Sequence, residues 1–283
     1  MKQEISNAHI SQANYLARTL PKLLLCLMCF VLPAWAAQPN FVVILVDDAG
    51  FTDFGGYGGE VNTPNINQLA DRGVRFSNYH TSPMCAPSRA MLMTGLDSHK
   101  TGMGTLPETI SPEQQGAKGY ELHLLSDVDT IADSLKKQGY QTFMTGKWHL
   151  GGRLEDLPNN HGFDRSFPLA ASGADNWEQK PFIPFYDEAP WFEDGKPAVL
   201  PEDFYSSRFL VDKMVEYIDG RERKKPFFAY VAFQAIHIPI QAPREFTDKY
   251  KGVYSDGWDV LLERRCDHEH GVIQVAFFLK VGY

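Results

Sequence analysis

Two apolar runs that stop at polar residues constrain this fold more than any other feature: "NFVVILVDD", from Asn40 to Asp48, and "PFFAYVAFQ", from Pro226 to Gln234. Neither alternates apolar with polar residues, so each reads as a strand buried on both faces, as in a parallel sheet covered by helices. Helical signals fall between them. "TPNINQLADRG" has Thr63 as a cap, Pro64 at the first helical position, Ile66, Leu69 and Ala70 on one face, and Gly73 as a stop. "VRFSNYHT" reads as a second strand, a short helix is expected to open at Pro87, and "DTIADSLKKQGY" reads as a helix stopped by Gly139. "YQTFMTGKW" reads as a strand and "FYSSRFLVDKMVEYIDG" as a helix, while Gly151 to Pro201 reads as long loops over the rim of the sheet. The alternation predicts a three-layer α/β/α fold with a mostly parallel central sheet and ligands at the carboxyl ends of its strands.

With 283 residues, 43% of them hydrophobic, the chain has the material for one large domain. The net charge is -8 and there is no Lys/Arg block, which argues against nucleic acid as a partner. The opening segment is different. Arg18 and Lys22 precede an apolar run of about ten residues that ends in Ala34-Trp35-Ala36, the anatomy of a secretory signal peptide. The run is too short to span a bilayer and Pro33 interrupts it, so residues 1–36 are expected to be removed on export to the periplasm or medium, leaving no membrane attachment. Cleavage takes Cys26 and Cys29 with it and leaves Cys85 and Cys266, too few for a disulfide scaffold.

Four groups of residues carry candidate chemistry. Asp47 and Asp48 stand where the first strand stops; paired carboxylates suit a hard cation such as Ca²⁺ or Mg²⁺, and equally a cap on the next turn. Cys85 lies at or just before a helix N-terminus, where N–H groups and the dipole favour anions, and Arg89 follows one turn later with a forked cation. A buried structural cysteine, a Cys85–Cys266 bridge and an activated thiolate all remain open at this level, and no base is visible beside it in sequence. Lys147 and His149 are two apart at a strand end, a spacing shared by a solvated face and a functional one; "GKWHLG" lacks the Gly and Ser/Thr of a phosphate-cradling loop. His237 follows the second buried strand, where a structural histidine is the plain alternative.

"CAPSRAMLMTG" resembles the C-x-P-S-R-x-x-x-x-T-G motif of the sulfatase family, and its neighbours occur in that family's order. "PNFVVILVDDAGFTDFGGYG" resembles its opening metal strand, "NTPNINQLADRGVRFSNYHT" its first helix and strand, "GYQTFMTGKWHLG" its second motif, and "VAFQAIHIPIQAP" its later histidine strand. Among sulfatases the chain looks most like the arylsulfatases. The resemblance implies an alkaline-phosphatase-like fold and a Cys85 oxidised by a formylglycine-generating enzyme to formylglycine, whose hydrate attacks the sulfur of a small-molecule or carbohydrate sulfate ester. It further implies Ca²⁺, or Mg²⁺, held by Asp47, Asp48 and residue 85. Arg89 is then expected to stabilise the hydrate, with Lys147, His149 and His237 serving the sulfate and the leaving group. A formylglycine-dependent phosphonate or phosphodiester hydrolase is the nearest alternative chemistry.

The resemblance runs from about Asn40 to Arg265, giving a partial catalytic domain over residues 37–265 and a tail, 266–283, in which it is lost. In full-length relatives an Asp-Asn pair downstream of the histidine strand completes the metal site, and a further lysine in the C-terminal half helps hold the sulfate. Here the only Asp-Asn dipeptide, Asp175-Asn176, lies upstream of His237 and is expected in a substrate-facing loop. These departures lead to the expectation of a truncated chain, incomplete at the C-terminus, with impaired metal binding and exposed apolar sheet surface, or a non-catalytic fragment.

Overall fold

A computed structural model describes residues 38–184, 186–266 and 276–281, the side chains of the last stretch and of Cys266 excepted. The expected signal segment, residues 1–36, lies outside the described residues. The elements run β1 (Asn40–Leu45), α1 (Pro64–Arg72), α2 (Cys85–Thr94), α3 (Ile131–Lys137), β2 (Gln141–Lys147), β3 (Arg165–Leu169), β4 (Phe192–Glu193), β5 (Lys196–Pro197), α4 (Ser206–Asp219), β6 (Phe227–Ala232), α5 (Arg244–Thr247), α6 (Trp258–Cys266) and β7 (Ala276–Val281). Five of the strands form one sheet in the order β3-β2-β6-β1-β7, parallel except for β7, which runs antiparallel to β1.

The two apolar runs form the middle of that sheet, and their side chains divide between its faces. Val43 and Leu45 of β1, Met144 of β2 and Phe228 and Tyr230 of β6 join Ala86, Ala90 and Met93 of α2 and Ala132 of α3 in one core. Phe143, Phe227, Ala229 and Val231 point the other way, onto Met214 and Tyr217 of α4, with Val42 and Ile44 beside them. Helices therefore cover both faces, which is the expected three-layer arrangement. α3 opens on a capping box in which Asp133 N donates to Thr130 Oγ1 at 3.1 Å and Thr130 N donates to the Asp133 carboxylate at 2.9 Å.

Several local expectations are corrected. "VRFSNYHT" is not a strand: Val74 is 80% and Phe76 54% exposed, because β1 already pairs with β6 and β7 and offers this segment no edge. Pro87 does not open its helix. α2 starts two residues earlier, at Cys85, with Met84 in the cap position. Thr63 occupies the cap position of α1 without capping it; its hydroxyl accepts from Gly55 N at 3.0 Å and donates to Asn67 Oδ1 at 2.8 Å. The span from Gly151 to Pro201 is more ordered than loops. It contains β3, whose Pro168 sits on the sheet's outermost strand, where the missing N–H faces away from β2, and its Phe167 and Trp191 join Phe204 and Leu210 further along the chain in a separate core.

One glycine sets how closely the strands approach beneath the site. Gly146 has φ +100°, and a Cβ there would lie 1.9 Å from the Ala232 carbonyl oxygen of β6. Gly146→Ala is expected to cost about 3 kcal/mol through backbone strain and forced separation of β2 from β6. Urea unfolding would read this as a lower midpoint at unchanged m-value; a neutral result would show that the two strands can part.

Candidate active site

β1, β2 and β6 end side by side, and the backbone ladder continues past them. Phe233 N donates to Leu45 O at 2.9 Å, Asp47 N to Ala235 O at 2.9 Å, and Ile236 N to Asp47 O at 2.8 Å. This extension carries Asp47 and Asp48 alongside the segment that ends in His237. From β2 come Lys147 and, two residues on, His149; α2 points its N-terminus at the same spot, with Cys85 in its first turn.

Asp47 lies at the centre and is fully buried. One carboxylate oxygen accepts a short hydrogen bond from Lys147 Nζ, and the other lies 3.1 Å from Arg89 Nη2. Arg89, equally buried, donates from Nη1 to the Lys147 carbonyl at 2.7 Å and to Tyr230 Oη at 3.5 Å. Burial alone would raise the Asp47 pKa, but Arg89 and Lys147 outweigh it and bring it from 3.8 to about 2. Burial likewise opposes the charge on Arg89, and Asp47 more than restores it.

Cys85 is buried and free. Its Sγ lies 3.4 Å from His149 Nδ1, and the far nitrogen of that ring, Nε2, is 3.2 and 3.3 Å from the two oxygens of Glu108. Burial raises the Cys85 thiol, while the His149 hydrogen bond and the Lys147 and His149 charges overcome it and lower the pKa to about 7. His149 is pushed upward: burial opposes its charge, and the bonds to Cys85 and Glu108 prevail. Glu108 was not visible as a site residue in the sequence; it stands alone in "TLPETI", and only the turn at Pro107–Thr109 brings it to His149.

The remaining expected residues are less engaged. Asp48 has φ +60° and a side chain 55% exposed, with one oxygen 3.9 Å from His237 Nε2. The half-buried His237 ring donates from Nδ1 to Ile238 O at 2.6 Å and stacks edge-on with Phe182, ring centroids 5.9 Å apart. Asp175-Asn176 ties its loop to the segment around His237. Buried Asn176 accepts from Gln234 Nε2 at 3.0 Å and donates to Gln241 Oε1 at 3.2 Å, and Asp175 accepts from Gln241 Nε2 at 2.7 Å.

A hard cation wants about six oxygens. Asp47 Oδ1 is paired with Arg89 Nη2 at 3.1 Å, Asp48 is turned outward, and no group of three His, Cys, Asp or Glu side chains among the described residues is arranged to hold one. The described residues alone therefore do not fit a complete hard-cation site. Buried Arg89 Nε has no hydrogen-bond acceptor, leaving one N–H of the guanidinium for an oxyanion.

The family model described as Sulfatase matches residues 39–271. The chain belongs to the sulfatase family. As a sulfatase it is 38% identical over 250 residues to an uncharacterized sulfatase of Schizosaccharomyces pombe, covering 84% of this chain and 45% of that one. It is 38% identical over 245 residues to an arylsulfatase of Klebsiella aerogenes, covering 82% and 51% respectively. Its fold matches a structure described as Ps i-CgsB in complex with k-i-k-neocarrahexaose, with TM-score 0.62 and 30% identity over 74% of this chain and 47% of the other. A second match, with TM-score 0.61 and 25% identity, covers 77% of this chain and 38% of a protein described in complex with its substrate D-glucosamine-2-N,6-O-disulfate. The chain thus spans about half the length of the curated relatives it matches.

The buried Asp47 generates a prediction. Asp47→Ala leaves two buried cations without their shared partner and is expected to cost about 3–5 kcal/mol. Because the folded pKa lies below the ordinary 3.8, this contribution is present in full above that value and is lost as pH falls toward about 2. Denaturant unfolding across pH should show wild type and variant far apart at neutral pH and converging in acid; a constant gap would place the stabilisation elsewhere.

Proposed function

We propose that this chain carries the nucleophile-bearing part of an exported, arylsulfatase-like sulfuric ester hydrolase. The observation that carries the reading is the convergence of Cys85, Arg89, Lys147 and His149 on buried Asp47, from three separate motifs, at the carboxyl ends of the strands. Cys85 is the residue to be oxidised to formylglycine, and the hydrate of that aldehyde supplies an oxygen nucleophile for the ester sulfur. The surroundings fit such a group: the buried Arg89 guanidinium, whose Nε–H has no acceptor, lies one turn along the same helix, and His149 Nδ1 lies within reach to hold its proton. Lys147 and Arg89 supply positive charge for the sulfate oxygens, and His237 handles the leaving-group proton. Asp47 and Asp48 are the residues that would contribute to a Ca²⁺ or Mg²⁺ site, with further ligands needed from beyond the described residues.

The substrate class proposed is a small-molecule or carbohydrate sulfate ester, supported by the carbohydrate ligands named for the two structural relatives. Among the described residues no helix is long and apolar enough to cross a membrane, and the proposed export rests on the sequence of residues 1–36. Maturation by a formylglycine-generating enzyme is part of the proposal. After co-expression with such an enzyme, mass spectrometry of the peptide holding Cys85 is expected to show the thiol replaced by an aldehyde, and Cys85→Ala to abolish turnover of an aryl sulfate. A thiol that stays unmodified would refute this route. Faster turnover of an aryl phosphonate ester than of the sulfate would favour the phosphonate-hydrolase alternative.

A further inference from the structure

The His149 ring makes two polar side-chain contacts, one at each nitrogen: Cys85 Sγ at Nδ1 and the Glu108 carboxylate at Nε2. Glu108 is nearly enclosed, its side chain 10% exposed, and both of its oxygens lie within 3.3 Å of Nε2. An ionised carboxylate only accepts hydrogen bonds, so the ring nitrogen facing it must carry a hydrogen. Burial would tend to neutralise Glu108, but the bond to His149 prevails and keeps its carboxyl below the ordinary range. A further donor, Tyr186 Oη at 3.4 Å, reaches Oε1 of the same carboxylate from the rim segment. His149 itself has φ +57°, a backbone conformation few side chains adopt, so the ring is presented from a turn and its direction is left to these contacts.

We propose that Glu108 is a positioning residue: it holds His149 in the tautomer protonated at Nε2, leaving the bare Nδ1 aimed at residue 85. The arrangement parallels the nucleophile, imidazole and carboxylate of hydrolytic triads, in which the third group orients the base without touching substrate. The proposal rests on the reading above for the chemistry that His149 serves, and on the geometry alone for the tautomer. Tyr186 extends the same order to the rim, since a shift of its segment would move the acceptor that aligns the ring.

Long-range ¹H–¹⁵N spectra of the full chain, labelled at histidine and recorded at alkaline pH where the neutral ring predominates, read the tautomer directly; every chain compared carries Cys85→Ser, whose uncharged hydroxyl replaces the thiolate beside Nδ1, and the one with Glu108 unchanged serves as wild type in these spectra. His149 is assigned by comparison with a His149→Asn chain. Wild type is expected to show a single Nε2–H form, Glu108→Gln to retain it through the amide oxygen, and Glu108→Ala to give a mixture of tautomers. On an aryl sulfate, Glu108→Ala is expected to lower kcat by about 10–100-fold with KM little changed, and Glu108→Gln to recover part of the loss. An Nδ1–H form in wild type, or an unchanged pure Nε2–H form in Glu108→Ala, overturns the proposal. Should Glu108→Ala fail to fold, the wild-type spectrum still decides. A matured wild-type chain without turnover would count against the sulfatase reading alone, because the spectra test the tautomer independently.

Discussion

The ion triad of Asp47, Arg89 and Lys147 joins the three parts of the chain on which the site depends. Asp47 extends β1, Lys147 ends β2, and Arg89 lies one turn into α2; none of the three side chains is exposed to water. Placing two cations and one anion in a protein interior is costly unless each finds a partner. The Arg89 bond to the Lys147 carbonyl closes the arrangement by tying the side chain of one cation to the backbone of the other. The triad carries net positive charge, which is favourable where a sulfate-like anion is to be received and would serve little purpose in an ordinary core.

The sheet's central strands make that triad possible. Apolar side chains on both faces of β1 and β6 secure the helices above and below, and the extended ladder from Leu45 to Ile236 delivers polar residues at matching heights. Close approach of β2 to β6 at Gly146 brings Lys147 inward one residue later. Cys85 then needs only a short helix: α2 starts at Cys85 itself, and its first two turns are buried through Ala90. The stabilising sheet and the reactive end are therefore consecutive stretches of the same strands.

Much of this was legible in the sequence, for physical reasons that differ by element. Uninterrupted apolar runs marked β1 and β6 because burial on both faces leaves no polar alternation. The alternation of strands and helices in turn led to three layers. "VRFSNYHT" carried strand-like composition, but composition does not reveal whether a neighbouring strand is free to pair, and β1 is already paired on both sides. β3 escaped because Pro168 and the surrounding Pro, Gly and aromatic residues resemble loop, whereas an edge strand tolerates a missing donor. At the site, Cys85, Arg89, Lys147 and Asp47 meet as their motifs implied. Glu108 could not be found the same way: an isolated glutamate far in sequence from its histidine has no periodicity or spacing to betray it.

The rim beyond β3 packs with β3 and α4 around its own apolar centre, which includes Phe167, Trp191, Phe204 and Leu210. Asn176 fastens it through Gln234 to the strand extension that leads to His237, and Tyr186 fastens it through Glu108 to His149. Both site histidines are thus referenced to one wall. A ligand entering between them would meet surfaces already set in relation to each other, so little of its binding energy need be spent on ordering the protein. Discrimination among ligands would then come from the shape of that wall, and changes in its aromatic face could retune selectivity while the ion triad beneath stayed as it is.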